Sequence, residues 1–294
     1  MKVTKAVLPF LPLCQRLLPD MLPGKLAGLS LALLKATALE IAILAGHLLL
    51  YPSGIAQERR AAMSPLPSPD DAGTPQLPRE AKPPVVLLHG FIDNRSVFVL
   101  LRRSLAQHGR QQIESLNYSP LTCDIRTAAE LLGRHIEEIC ERTGSEQVDI
   151  VGHSLGGLIG RYYVQRLGGD LRVRTLVTLG TPHSGTRVVP LANAHPIVRQ
   201  MRPGSQLLEE LTRPAPGCRT HFVSFWSDLD HLMDPLETAC IDHPDLTVQN
   251  VRVSGVGHLA LPVHPAVANG IRDVLDTART ATETQAHTGG LTVA

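Results

Sequence analysis

Val148-Asp149-Ile150-Val151-Gly152-His153-Ser154-Leu155-Gly156-Gly157-Leu158-Ile159 is the stretch that decides the fold. Its first four residues are an apolar, β-branched run with one Asp, the composition of a short buried strand. Leu158 to Gln165 opens a helix. Between them lies G-x-S-x-G. A turn this tight leaves no room for a side chain two residues either side of the serine, so Gly152 and Gly156 stand there. Ser154 is then held with strained dihedrals and its hydroxyl stands clear of the sheet. By composition alone such a pentapeptide arises in roughly one chain in ten of this length; its placement between strand and helix carries the argument.

Outward from this elbow, strands and helices alternate. Val85-Val86-Leu87-Leu88, bounded by Pro83-Pro84 and His89-Gly90, is a buried parallel strand by pattern. Ser96 to His108 carries helical spacing, and Ile113 to Asn117 is strand-like. Thr127 to Arg142 places Ala128, Leu131, Leu132, His135, Ile136 and Ile139 on one face of a helix that ends at Gly144. Val173 to Leu179, Phe222 to Ser227 and Val248 to Val253 are further strands, and Pro265 to Asp276 a closing helix. Alternation of this kind means βαβ units, hence an α/β chain with a compact, mostly parallel sheet of about six strands flanked by helices. Thr186 to Thr220 is less regular. Leu207, Leu208 and Leu211 there suit either a lid over a site or, the preferred reading, a helix packed on the core.

Composition narrows the function. A formal net charge of +1 over 294 residues gives no basis for nucleic-acid binding, and 3% aromatic residues, with Trp226 the one tryptophan, argue against a stacking groove. The 13 histidines are scattered and no metal-ligand spacing occurs, so neither metal nor cofactor is expected. Cys123, Cys140, Cys218 and Cys240 lie in the same part of the chain. Pairing of nearest neighbours, Cys123 with Cys140 and Cys218 with Cys240, is the expectation here, with buried free thiols as the alternative.

Four parts are expected: a hydrophobic N-terminal helical segment over 1–60, a Pro-rich linker over 61–84, a catalytic domain over 85–278 and a flexible tail over 279–294. Leu26 to Tyr51 is long enough to cross a bilayer, and Lys2, Lys5, Arg16 and Lys25 precede it. Against insertion stand Lys35, Glu40 and His47. About 3 kcal/mol for each central charge offsets the roughly 6 kcal/mol returned by its leucines and isoleucines. A signal anchor, a helical hairpin facing protein or membrane surface, and a cleaved signal all remain open, and a membrane-associated or extracytoplasmic location is the expectation. Ser64 to Pro84 holds seven prolines and reads as an extended tether.

Acyl-transfer chemistry needs a nucleophile, a base, an acid to orient the base, and donors for a developing oxyanion. Ser154 is the candidate nucleophile. His258, in Val253-Ser254-Gly255-Val256-Gly257-His258 after the last strand, is the candidate base, with His264 its rival. Three aspartates follow the preceding strand: Asp230 is preferred as the acid, then Asp228, then Asp234. The backbone N–H of Leu155 at the helix start and that of Phe91 after the first strand are the candidate oxyanion donors, with Ile92 the alternative to Phe91. The chain order Ser, Asp, His is that of α/β-hydrolases.

His89-Gly90-Phe91, Gly152 to Gly157, Leu179-Gly180-Thr181-Pro182-His183-Ser184-Gly185-Thr186 and Gly255-Val256-Gly257-His258-Leu259, in this order, resemble bacterial triacylglycerol lipases and esterases. The compact form from Val85 to Asp276 is similar to Bacillus-type lipase A and to actinobacterial lipases. The resemblance implies the α/β-hydrolase fold, cofactor-free cleavage of lipid or other acyl esters, and an acid in a Ser-x-x-Asp setting, which Ser227 to Asp230 matches. Two other outcomes stay open: a membrane-tethered binding protein that kept the fold without catalysis, and an acyltransferase using the same serine.

Overall fold

The computed structural model describes residues 37–46, 82–91, 95–116, 118, 123–188 and 195–288. Six strands form one sheet: β1 (Val85–Leu88), β2 (Ile113–Leu116), β3 (Val148–His153), β4 (Val173–Leu179), β5 (His221–Ser227) and β6 (Thr247–Val253). All neighbours run parallel, in the order β2-β1-β3-β4-β5-β6. β1 and β3 are buried along their whole length, as central strands covered on both faces must be. β6 is the exposed edge, with polar Gln249, Asn250 and Arg252 along it.

Helices α1 (Val99–Gln107) and α6 (Pro265–Thr288) cover one face, through Leu101, Leu105, Val267, Ile271 and Leu275. The other face carries α2 (Ile125–Thr143), α3 (Leu155–Arg166), α4 (Pro196–Gln200) and α5 (Gln206–Thr212). α2 shows why the pattern was readable. Asp124 accepts a hydrogen bond from the Thr127 N–H at 2.8 Å as its N-cap, and Gly144 ends it at φ +70°. Leu132, Ile136 and Ile139 on its inner face are fully buried, each stabilising by about 2 kcal/mol. α6 continues twelve residues past the expected Asp276, because the Ala, Thr, Arg and Glu that follow contain no breaker before Gly289-Gly290.

The strand order reverses between β1 and β3, so the connections leaving these two strands diverge to opposite sides of the sheet. A crevice opens at such a switch point outside the carboxyl ends, where an α/β sheet places its ligands. Ser154 and His89-Gly90-Phe91 both lie at that edge.

One expectation changes. The disulfides are absent: Cys123, Cys140, Cys218 and Cys240 are all free thiols. α2 separates the first pair, since Cys123 precedes it and Cys140 lies in its last turn; at about 1.5 Å rise per residue they are roughly 20 Å apart, and a bridge needs Cα atoms within about 7 Å. Leu207, Leu208 and Leu211 are core residues of α5 rather than the inner face of a lid. Of the proposed span Leu26 to Tyr51 only 37–46 is described; it is helical, and no helix among the described residues is long and apolar enough to cross a membrane.

Candidate active site

Ser154 has φ +52° and ψ −118°, and is the non-glycine residue with positive φ among those described. Such a conformation costs about 1–3 kcal/mol and persists only where the surroundings hold it. The Ser154 N–H donates to the Leu179 carbonyl at 2.9 Å. The Ser154 carbonyl accepts from the Gly157 N–H at 3.1 Å and from the Thr181 hydroxyl at 2.9 Å. The flanking glycines are steric necessities. A Cβ on Gly152 would lie 2.6 Å from the Gly157 nitrogen, and one on Gly156 would lie 2.2 Å from the Leu88 carbonyl oxygen. Gly156 thereby seats the start of α3 directly against the end of β1.

His258 follows β6 and is buried, and Asp230 follows β5 with no solvent exposure at all. The His258 Nδ1–H donates to Asp230 Oδ2 at 2.8 Å, and Asp230 Oδ1 accepts from the Leu232 N–H at 3.0 Å. The two rival aspartates are engaged elsewhere. Asp228 accepts from Arg252 and from the Gly255 N–H, both at 2.9 Å, which holds its carboxyl below the usual range. Asp234 is exposed. His264 sits at the turn into α6 with its buried Nδ1 unpartnered. Gly180 lies beside the His258–Asp230 pair: a Cβ there would be 2.7 Å from Asp230 Oδ2 and 3.0 Å from His258 Nδ1. Because Leu179 just before it accepts from Ser154, one short turn after β4 touches all three candidates.

Leu155 is the first residue of α3, so its N–H belongs to the unpaired donors at a helix start, where the dipole favours negative charge. Phe91 lies three residues past β1, half-buried, with its ring 5.9 Å edge-on from His195. Ile92 falls outside the described residues. The loop leading to Phe91 is buttressed by Tyr118, whose ring stacks on His89 at 4.3 Å and whose hydroxyl donates to the His89 carbonyl.

Several contributors escaped sequence reasoning. His153, the variable position of the elbow, donates from Nε2 to the His258 carbonyl at 3.2 Å. Its strand position, buried and next to the serine, was the available signal. Tyr118 carried none, because stacking after β2 depends on how β2 is paired to β1. Thr181 and Ser227 sit in motifs already noted; the Ser227 hydroxyl donates to the Val256 carbonyl, steadying the turn toward His258.

Behind the site His183 is wholly buried. It donates from Nε2 to Thr178 at 3.0 Å, and Thr178 donates on to Ser224 at 3.0 Å. Burial, and next the Arg161 cation, hold His183 well below the ordinary imidazole range. Arg161 itself is pushed down to about 10 by burial. Its guanidinium meets Gln165 and the carbonyls of His183 and Leu211, within 2.6–3.3 Å. Among the described residues no group of three His, Cys, Asp or Glu is placed to hold a metal ion.

A family described as the alpha/beta hydrolase fold matches residues 83–213. Curated triacylglycerol lipases of Pseudarthrobacter phenanthrenivorans and Burkholderia plantarii are each 31% identical over 111 residues, 35% of this chain and 34% and 30% of theirs. The match thus spans about a third of the length of these relatives. Among solved structures, the mature form of Bacillus licheniformis lipase BlEst2 superposes with a TM-score of 0.57 at 17% identity, covering 69% of this chain and 96% of that one. Aspergillus fumigatus lipase B superposes with a TM-score of 0.52 at 18% identity, over 59% and 45%.

Proposed function

We propose that this chain, which has the α/β-hydrolase fold and is similar to triacylglycerol lipases, hydrolyses carboxylic esters through an acyl-enzyme on Ser154. The observation that carries the reading is a strained serine at the switch point of the sheet, held by Leu179 next to Gly180, which in turn lies against a buried, acid-tethered imidazole. His258 Nε2 takes the Ser154 hydroxyl proton as Oγ attacks the ester carbonyl carbon. Asp230 keeps the Nδ1–H tautomer and stabilises the imidazolium. The N–H groups of Leu155 and Phe91 receive the charge that develops on the carbonyl oxygen. The C–O bond to the alcohol breaks as the imidazolium returns its proton to the leaving oxygen. Water then attacks the acyl-enzyme, with His258 again acting as base, and releases the acid and Ser154.

The similarity to two triacylglycerol lipases supports a lipid acyl ester as the substrate class. Hydrolysis of p-nitrophenyl butyrate and palmitate by the unvaried chain and by Ser154→Ala tests both parts. Activity toward at least one ester, lost with Ser154→Ala, is expected; a Ser154→Ala variant with full activity would overturn the reading.

A further inference from the structure

The loop that carries His258 is tied down at nearly every residue. The Gly255 N–H is held by Asp228, the Val256 carbonyl by Ser227, the His258 carbonyl by His153 and the His258 ring by Asp230. One further tie comes from far outside the sheet. Glu40, in the helix of residues 37–46, accepts from the Leu259 N–H through Oε2 at 3.0 Å and from the Ala260 N–H through Oε1 at 2.9 Å. These two donors open the turn immediately after His258, where a carboxylate satisfies unpaired N–H groups with charge-assisted bonds.

The surroundings are shaped around this contact. Residues 37–46 read Thr-Ala-Leu-Glu-Ile-Ala-Ile-Leu-Ala-Gly, with a single charge. That charge turns inward, whereas Leu39 and Ile41 stay 45% and 48% exposed. Ile43 and Leu44 are half-buried on the same face as Glu40, with Ile43 packed against the core, so the one charge of this helix sits beside its inward apolar side chains. Gly257 makes the room: a Cβ there would fall 2.3 Å from Glu40 Oε1. Its backbone is not in the left-handed region, so conformation does not demand a glycine; the carboxylate's close approach does.

We infer that Glu40 is a positioning residue for the ester hydrolysis proposed above: its carboxylate, clamped on the Leu259 and Ala260 amides, fixes the aim of the His258 imidazole at Ser154. The inference rests on the hydrolase reading and makes the helix of residues 37–46 a working part of the site. The clamp acts on an already bound substrate's chemistry, so its loss lowers kcat and leaves KM in place.

In the full chain, Glu40→Ala is expected to lower kcat by about tenfold to a hundredfold, the scale of a small misplacement of a catalytic group. KM should stay within about twofold, and the melting temperature should leave the protein folded at the assay temperature. Glu40→Gln, which keeps one acceptor oxygen, should fall between. Gly257→Ala should reproduce the loss by displacing the carboxylate, and Glu40→Ala combined with Gly257→Ala should be no worse than either alone, since both remove one interaction. Leu39→Ala on the same helix should match the unvaried chain. Unchanged kcat in Glu40→Ala, a loss confined to KM or melting temperature, or losses at Glu40 and Gly257 that multiply would each overturn the clamp while leaving the hydrolase reading standing. An unvaried chain that neither hydrolyses esters nor reacts with a fluorophosphonate overturns that reading, and the clamp with it.

Discussion

The carboxylate of Asp230 divides its two oxygens between the His258 ring at 2.8 Å and the Leu232 amide at 3.0 Å, and neither oxygen reaches solvent. The amide fixes the carboxylate, and the carboxylate fixes the ring. Asp230→Asn would offer an N–H to a nitrogen that must itself carry a proton, so the imidazole turns to the wrong tautomer. A kcat loss of roughly 10⁴-fold is expected. Asp228→Asn loses the ion pair with Arg252, keeps an oxygen for the Gly255 N–H and touches no reacting group, so kcat should stay within about tenfold while the melting temperature falls. Steady-state kinetics of the two variants on one short-chain ester check the assignment; the reverse ranking would contradict it.

Gly156 sets how closely the elbow approaches β1. With the Leu88 carbonyl oxygen 2.2 Å from a would-be Cβ, Gly156→Ala forces backbone apart and is expected to cost about 3 kcal/mol or more in stability. Any folded remainder should show reduced kcat, because Leu155 and Phe91 no longer face one oxygen. Gly144→Ala is a useful contrast: nothing crowds a Cβ there, yet φ of +70° gives it a backbone cost of its own. Urea unfolding of both variants separates the steric effect from the conformational one.

His183 makes folding sensitive to acid. Its folded form resists protonation, while the unfolded chain takes up a proton near the ordinary value of 6.5. Stability is therefore full above pH 6.5 and declines as pH falls from there toward the depressed folded value, by at most about 1.4 kcal/mol per pH unit. His221, also lowered by burial, adds in the same direction. His183→Asn should reduce this slope without abolishing it, as measured by urea unfolding above and below pH 6.5. An unchanged slope would show that His183 is not the titrating group.

Leu211 tests whether α5 is core or lid. It is fully buried, and its carbonyl accepts from Arg161 and Gln165. Leu211→Ala should destabilise by about 2–5 kcal/mol and leave the ratio of butyrate to palmitate hydrolysis unchanged. A shifted ratio in a fully stable variant would restore the lid.

The parts of this molecule that local pattern encodes were legible. The buried run at Val85 to Leu88, the apolar face of α2 and the strand–G-x-S-x-G–helix order each follow from rules spanning fewer than two turns of chain. What needed coordinates were choices set across the sheet. Spacing puts Asp228, Asp230 and Asp234 in one loop and the Ser-x-x-Asp setting favours Asp230; the bond to His258, made where β5 and β6 end in register at Ser227 and Val253, singles it out. Cysteine parity suggested two bridges; the length of α2 forbids the one between Cys123 and Cys140, and Cys218 and Cys240 are also free. Glu40 was readable only as a charge that weakens a membrane span. Its partners lie about 220 residues downstream, a distance over which no periodicity carries information.

The central claim is that the Ser154 hydroxyl is activated, and covalent labelling tests it most directly. A fluorophosphonate incubated with the full chain, followed by digestion and mass analysis, should place one adduct on the peptide containing Ser154, with labelling lost in Ser154→Ala and strongly slowed in His258→Ala. An unmodified Ser154, or equal labelling of the His258→Ala variant, would contradict the account.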